Sequence, residues 1–319
     1  MADANNGAQA RTYQVAMIGA GPAALAAAVY TTREDLKTIL IEKGVIGGLA
    51  AITDLVDNYP GFSKGVAGLE LAEELRKQAE RFGAEIDLAE VSKLTDEGKL
   101  KRLTTTNGDI LAEAVLIATG SDYKKAGVPG EKEYYGRGVH YCATCDGAFY
   151  RDKKLAVIGS GNSSAQEAIF LTRFASHIDI LIRGDHWKAS EVLVNKISQL
   201  EKDGKITVHF NLPSKEIVGA DNQVNKIICT DTTTNEEVSL DVDGVFVFVG
   251  LEPNTGFLAG SGVELDDRGF VKTNQHLETA VKGVFCAGDV RAGATMQIAS
   301  AVGEGATAAL KIREYLEQD

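Results

Sequence analysis

Two glycine turns constrain this chain more than any other feature. Residues 14–18 (QVAMI) form a short apolar run that stops at Gly19, and the Ala- and Leu-rich stretch 23–32 predicts a helix. Residues 38–42 (TILIE) then predict a second buried strand. Strand, glycine turn, helix and strand within about thirty residues spell a βαβ unit. The same order restarts where residues 154–158 (KLAVI) run into Gly159. A helix is expected over about 163–174, and residues 178–182 (IDILI) are the returning strand. Two such starts, 140 residues apart, imply two nucleotide-binding layers in one chain. Each is followed by a β-rich stretch with a similar ending, 114–120 (AVLIATG) and 242–250 (VDGVFVFVG). The chain then returns through 283–290 (GVFCAGDV) to an Ala-rich helix over about 298–316. The expected architecture is α/β, with two Rossmann-like three-layer nucleotide-binding domains, the second inserted into the first. Residues 1–119 and 252–319 would form the outer domain and 120–251 the insert.

Composition removes several classes of function. Lys plus Arg number 33 against 45 Asp plus Glu, a formal net charge of −12 that repels a polyanion, so no nucleic-acid partner is expected. No run of about 18 apolar residues is present, so no membrane span is expected. Residues 1–12 (MADANNGAQART) are polar, lack the basic-then-apolar order of a secretory leader, and are expected to be a frayed tail before the first strand. The four cysteines are Cys142, Cys145, Cys229 and Cys286. They are too few for a disulfide scaffold in a chain of this length, and the expected compartment is the cytoplasm, where structural disulfides stay reduced.

The first loop, Gly19-Ala20-Gly21-Pro22-Ala23-Ala24, fits G-x-G-x-x-A. Its first glycine permits the tight turn, the second lets backbone approach a pyrophosphate, and the small sixth residue lets helix and strand close up. The helix N-terminus offers free N–H groups to phosphate. Glu42, 23 residues after Gly19, stands where a carboxylate accepts hydrogen bonds from both hydroxyls of an unphosphorylated ribose. The second loop, Gly159-Ser160-Gly161-Asn162-Ser163-Ser164, has Arg183 at the matching strand end and Lys188 five residues on. Cations there favour a ribose 2′-phosphate, and hence NADPH over NADH, although Asp185 beside them works against it.

Cys142-Ala143-Thr144-Cys145-Asp146 is the most informative pentapeptide. Zinc would need two further ligands, and none of the five histidines (140, 177, 186, 209, 276) has the spacing to supply them, so no metal is expected. Two thiols separated by two residues form a reducible disulfide, with one thiolate attacking a substrate disulfide and the other resolving it. Asp146 reads either as the acid–base group such chemistry needs or as a helix N-cap or turn residue. Cys229 and Cys286, among β-branched and aromatic neighbours, read as buried inert thiols. A nicotinamide gives a hydride and a disulfide takes two electrons. A flavin joins them, so two dinucleotide sites and one dithiol make a complete set.

With these motifs the chain resembles a low-molecular-weight thioredoxin reductase over nearly its whole length. The matching segments are GAGPAAL (19–25), Gly47-Gly48 with NYPGF (58–62), ATG (118–120), CATCDGAFY (142–150), GSGNSS (159–164) and CAGDV (286–290) followed by MQIASA. The resemblance implies a homodimer, non-covalent FAD in the split domain, NADPH in the insert, and thioredoxin or a thioredoxin-like protein as partner. It assigns Cys145 to the thiol facing the flavin, Cys142 to the attack on thioredoxin and Asp146 to acid–base work. FAD contacts would fall on Gly19, Gly21, Pro22, Ala23, Glu42, Lys43, Gly48, Asn58, Ala118, Thr119, Gly120, Gly288, Asp289, Met296, Gln297 and Ile298. Those to NADPH would fall on Gly159, Gly161, Asn162, Ser163, Arg183 and Lys188.

The chain departs from the family pattern at the donor site. Where the family has H-R-R-x-x-x-R, this chain has Ile182-Arg183-Gly184 and Lys188, and the family's nicotinamide-side Glu is Gln166, with Glu167 next to it. Loop 49–52 is Leu-Ala-Ala-Ile in place of a Gln followed by threonines. Alternative donors are therefore NADH, reduced ferredoxin or a deazaflavin. Alternative functions are a flavin dithiol oxidase, a non-catalytic redox-sensing flavoprotein and a ferredoxin/flavodoxin–NADP reductase, which does not need this dithiol.

Overall fold

The structure, a computed structural model, describes residues 10–53, 55–56 and 58–318. In chain order it opens with β1 (Arg11–Ile18), α1 (Pro22–Arg33), β2 (Thr38–Glu42), α2 (Gly68–Arg81), β3 (Glu85–Leu88), β4 (Val91–Glu97), β5 (Leu100–Thr105) and β6 (Ile110–Ile117). After β7 (Ser121–Tyr123) come β8 (Val139–His140), α3 (Ala143–Asp146), β9 (Lys154–Ile158), α4 (Asn162–Leu171), β10 (His177–Leu181), α5 (Glu191–Lys202) and β11 (Ile206–His209). Next are β12 (Ser214–Ala220), β13 (Gln223–Thr230), β14 (Glu237–Asp241), β15 (Gly244–Val247) and β16 (Leu251–Pro253), then β17 (Val284–Cys286) and α6 (Ile298–Glu317). The chain divides into two units, one made of the residues before Tyr123 and from Glu252 on, the other Tyr123–Leu251.

The first unit is built on a sheet ordered β3-β2-β1-β6-β5-β4, with β17 also paired to β6. Strands β3, β2, β1, β6 and β17 are parallel, and β4 and β5 run antiparallel at one edge. Because side chains alternate along a strand, Val15 and Met17 of β1 join a core that includes Leu25 of α1 and Ile312 of α6. Ala16 and Ile18 enter the opposite core, with Leu94, Leu103 and Leu258. Small residues let the helices approach closely, since a Cβ at Gly305 of α6 would fall 2.1 Å from the Ala23 carbonyl oxygen of α1.

The second unit repeats this plan. Its parallel sheet is ordered β11-β10-β9-β15-β8, and β12-β13-β14 form a separate antiparallel sheet. Leu155 and Val157 of β9 pack with Ala165, Ala168 and Leu171 of α4, while Ala156 and Ile158 face Ile217 and Ile227 of the antiparallel sheet. Both units are thus Rossmann-like, each built around parallel strands covered on both faces.

Three expectations need correcting. Arg11 and Thr12 are paired with Ile110 and Leu111 in β1, so the expected frayed tail does not reach them, and residues 1–9 of that tail lie outside the described residues. The helix expected to Phe174 ends at Leu171, because Arg173 N–H and Phe174 N–H turn back three residues to Phe170 and Leu171. The strand expected over 178–182 is His177–Leu181.

Candidate active site

The first glycine turn is shaped by close approach. Gly19 has φ +99°, and a Cβ there would lie 2.5 Å from the Ala118 carbonyl oxygen, so only glycine fits. Gly21, at the N-cap of α1, is different: its φ of −77° is ordinary, and nothing lies within 4 Å of where its Cβ would be. That open space fronts the free N–H groups of α1, which starts with Pro22 at a position needing no donor. Ala23 is buried and lies 3.1 Å from a Cβ built on Gly288, which has φ +78°. Gly48 folds onto the same turn, since a Cβ there would be 3.7 Å from Gly21 Cα, and Gly47 N–H donates to the Ala20 carbonyl at 2.8 Å.

Glu42 ends β2 and is held by backbone. Its Oε2 accepts from Ala20 N–H at 2.8 Å and its Oε1 from Gly44 N–H at 2.7 Å. The carboxylate therefore ties the strand end to the glycine turn while each oxygen keeps a second lone pair. Gly19, Glu42, Lys43 and Thr119 line one cavity of about 320 Å³, together with Asn254 and Phe257. Beside Thr119 the chain is locked by Asn254. Its N–H donates to the Gly120 carbonyl at 3.1 Å and its Nδ2 to the Thr119 carbonyl at 3.1 Å, while Thr119 Oγ1 donates to the Asn254 carbonyl at 2.7 Å. Ala118 N–H donates to the Ile18 carbonyl, joining β6 to β1 at the turn.

The C-terminal segment brings the other predicted residues to this unit. Asn58 Nδ2 donates to Gln297 Oε1 at 2.9 Å, and Gln297 is the N-cap of α6. Ser121 Oγ contacts Met296 Sδ at 3.8 Å, and Ile298 packs on Val56, Val66 and Leu71. Gly288 N–H donates to Glu304 Oε2 at 2.8 Å, and Glu304 is also ion-paired with Arg291. Asp289 Oδ1 is buried with no hydrogen-bond partner among the described residues. Burial, with some repulsion from Glu304, pushes the Asp289 carboxyl up to about 6. A buried carboxylate oxygen lacking a donor, a cradle open above Gly21 and a carboxylate-lined cavity together fit a dinucleotide with hydroxyl groups to give.

In the second unit Gly159 has φ +147°, and a Cβ would fall 2.4 Å from the Phe248 carbonyl oxygen. Gly161, the N-cap of α4, again fronts open space. Asn162 and Ser163 lie in the first turn of α4, both side chains exposed, and Asn162 Oδ1 accepts from Ser190 N–H at 2.7 Å. Lys188 N–H donates to the Ser160 carbonyl at 2.8 Å, which brings the cationic loop against the glycine turn. Arg183 and Lys188 are exposed and carry no ion pair among the described residues. Asp185 is paired with His186 at 2.6 Å, which holds its carboxyl below the usual range. Glu167 Oε2 is buried without a hydrogen-bond partner among the described residues, and burial pushes that carboxyl up.

Cys142 and Cys145 form a disulfide with Cα atoms 5.3 Å apart. Cys142 caps α3, and its Sγ accepts from Cys145 N–H at 3.2 Å. Asp146 Oδ2 lies 3.2 Å from His140 Nδ1, and His140 Nε2 lies 2.7 Å from the Tyr150 hydroxyl. Cys229 and Cys286 are buried and free, and burial pushes the Cys229 thiol up to about 12 and that of Cys286 further. The sequence did not single out Asn254, Glu304, or His140 as a partner of Asp146. Glu304 as the only acid in 298–310 and His140 two residues before Cys142 were signals of a kind, but Asn254 had none.

The model of the pyridine nucleotide-disulphide oxidoreductase family matches residues 13–305. Thioredoxin reductase of Bacillus subtilis (strain 168) is 41% identical over 308 residues, covering 97% of this chain and 96% of its own. That of Listeria monocytogenes is 39% identical, covering 97% and 95%. The crystal structure of thioredoxin reductase from Streptococcus pyogenes MGAS5005 superposes with a TM-score of 0.91 at 36% identity, covering 98% of this chain and 100% of that one. The chain belongs to the pyridine nucleotide-disulphide oxidoreductase family, and within it to the low-molecular-weight thioredoxin reductases. The fold and site define the class, and these full-length relatives define the branch.

Proposed function

We propose that the chain is a thioredoxin-disulfide reductase that passes electrons from NADPH through FAD to the Cys142–Cys145 disulfide and on to thioredoxin. The observation that carries this reading is the disulfide at Cys142–Cys145 in a chain with two dinucleotide cradles, one fronted by a carboxylate and one by cations. When bound, FAD accepts a hydride from the nicotinamide and supplies two electrons to the disulfide.

The residues of the first unit bind and orient. The N–H groups opening α1 above Gly21 hold the pyrophosphate, and Glu42 takes the ribose hydroxyls. Asp289 Oδ1 takes a hydroxyl of the remaining sugar chain, which gives that buried oxygen the donor it lacks. In the second unit Gly161 fronts the pyrophosphate of NADPH, and Arg183 with Lys188 meets its 2′-phosphate. Cys142 is the sulfur that attacks thioredoxin, because the Cys145 N–H directed at its Sγ favours charge on that atom. Cys145 resolves the mixed disulfide and Asp146 moves the proton. The working form is a homodimer in the cytoplasm.

A second donor deserves testing on one specific observation: the phosphate clamp has Gly184 where a second Arg would stand, and Asp185 is held ionised between its two cations. Reduced ferredoxin or a deazaflavin would bypass that loop. The experiment is anaerobic mixing of the purified flavoprotein with NADPH, NADH, reduced ferredoxin and a reduced deazaflavin in turn, following flavin absorbance. Rapid bleaching by NADPH is expected. Bleaching by ferredoxin alone would move the donor, and bleaching only by small dithiols would replace the reductase with a dithiol oxidase.

A further inference from the structure

The carboxyl read above as the proton carrier has a built partner. His140 ends β8 beside Phe246 of β15, and its ring stacks on Phe246 with centroids 5.2 Å apart. Only 8% of the residue is exposed. One ring nitrogen faces Asp146 and the other faces the Tyr150 hydroxyl, at the 3.2 and 2.7 Å given above. Tyr150 is itself wedged, since a Cβ at Gly244 would fall 2.5 Å from its ring. Burial and the nearby charges of Asp146 and Asp243 push the Tyr150 phenol up, so its oxygen keeps its proton and can give or accept a hydrogen bond. Asp243 in turn is paired with Lys153 at 3.3 Å and accepts from Lys154 N–H. The groups facing His140 are therefore Asp146, Tyr150 and apolar Phe246, with Asp243 acting through Tyr150. A ring held by a carboxylate on one side and an adaptable hydroxyl on the other is satisfied in both its charge states.

That arrangement answers a chemical difficulty. An isolated aspartic acid, with a pKa near 4, keeps its proton in only about one molecule in a thousand at pH 7, whereas a histidine near 6.5 is protonated in roughly a quarter. We infer that His140 is a positioning residue for Asp146 that also shares its proton, so that the two act as one acid–base pair serving the dithiol. The inference rests on the reductase reading. In the exchange with thioredoxin, the pair takes a proton from an enzyme thiol as that sulfur becomes the attacking thiolate. The pair then returns the proton to the departing thioredoxin sulfur. That attack breaks the thioredoxin S–S bond and forms a mixed disulfide. The second enzyme thiol then attacks it, its proton passing through the pair to the second thioredoxin sulfur as the Cys142–Cys145 bond forms. Two electrons and two protons thus pass from enzyme dithiol to thioredoxin, and the pair ends with the protons it began with.

The test is a single turnover of pre-reduced holoenzyme with oxidised thioredoxin between pH 5 and 9, in wild type, His140→Phe and His140→Asn. His140→Phe keeps an aromatic ring on Phe246, and His140→Asn keeps an N–H toward Asp146. Both are expected to slow exchange about tenfold at pH 7.5 and to move the descending limb of the pH profile at least one unit lower. Reduction of the flavin by NADPH should be unchanged. Superimposable profiles, a loss by the same factor at every pH, or restoration of the wild-type profile by asparagine would overturn the shared proton. A wild type inert toward thioredoxin at every pH would overturn the reductase reading together with it, while an active wild type with unmoved variants overturns the inference alone.

Discussion

The two glycine turns share a backbone and differ in what stands beside them. Gly19 and Gly159 both have positive φ and both would drive a Cβ into a carbonyl oxygen, at 2.5 and 2.4 Å. Gly21 and Gly161 both front open space at a helix N-terminus. At the strand end, however, Glu42 is fastened by two backbone N–H groups, while Arg183 is exposed and carries no ion pair among the described residues. On the proposed assignment, the turn geometry is common to both dinucleotides and the strand-end side chain sets which one binds. A fastened carboxylate prearranges the first site for a resident cofactor. A loose cation suits a substrate that comes and goes.

The comparison breaks most visibly at the glycines. Gly19→Ala adds a forbidden contact with the Ala118 carbonyl to an unfavourable backbone angle, a cost of at least about 2–3 kcal/mol. It should yield a flavin-free, less thermostable protein. Gly159→Ala should keep its yellow colour yet lose at least about a hundredfold in the rate of flavin reduction by NADPH, an effect of about 2.7 kcal/mol. Flavin absorbance with stopped-flow kinetics distinguishes the two, and equal flavin loss in both would mean the turns are not separate sites.

Glu42→Ala comes next. It strands the Ala20 and Gly44 N–H groups and removes the ribose acceptor, so FAD affinity should fall roughly ten- to a hundredfold, in line with about 1–3 kcal/mol for an unsatisfied donor. Equilibrium dialysis would measure it, and Arg183→Ala should leave FAD affinity untouched. A smaller effect is expected from Gly184→Arg with Lys188→Arg. Gly184 has open space around a built Cβ, so the added side chain meets no obstacle, and the rebuilt clamp should lower KM for NADPH about three- to tenfold without lowering that for NADH. Equal changes for both cofactors would show that the loop does not meet the 2′-phosphate.

A pH dependence of stability is expected at Asp289. Its carboxyl is raised to about 6 in the folded, flavin-free chain, above the ordinary value of 3.8, so between those values the native state holds a proton that the unfolded state has released. Stability of the flavin-free protein should therefore fall as pH rises from about 4 to about 6 and stay lowered above that. Melting curves across this range should show the decline in wild type and a flatter course in Asp289→Asn, while bound FAD should reduce the difference.

What the sequence displayed depended on how local each requirement was. Gly19 and Gly159 were legible because a turn with positive φ against a neighbouring carbonyl admits only glycine, and the apolar runs around them left few alternatives. Cys142 and Cys145 were legible from their spacing alone. Asn254 was not, because its bonds to Thr119 cross 135 positions and no pattern near 254 announces them. Glu304 looked like one polar residue in an Ala-rich helix until folding set it against the Gly288 N–H. The helix after Gly161 stops early for a tertiary reason: the Phe174 carbonyl accepts from Asp152 N–H and Ser176 N–H reaches Lys153, which pulls the chain out of helix where composition would have let it run on.

Thiol counting tests the electron path most directly. Wild-type flavoprotein is given NADPH without oxygen, quenched with an alkylating agent, and mapped by mass spectrometry, beside the same protein stripped of flavin. Cys142 and Cys145 should both become labelled in the flavin-containing sample and stay linked in the stripped one. A bleached flavin beside an unlabelled, still-linked pair would contradict the path from cofactor to dithiol on which this enzyme's function rests.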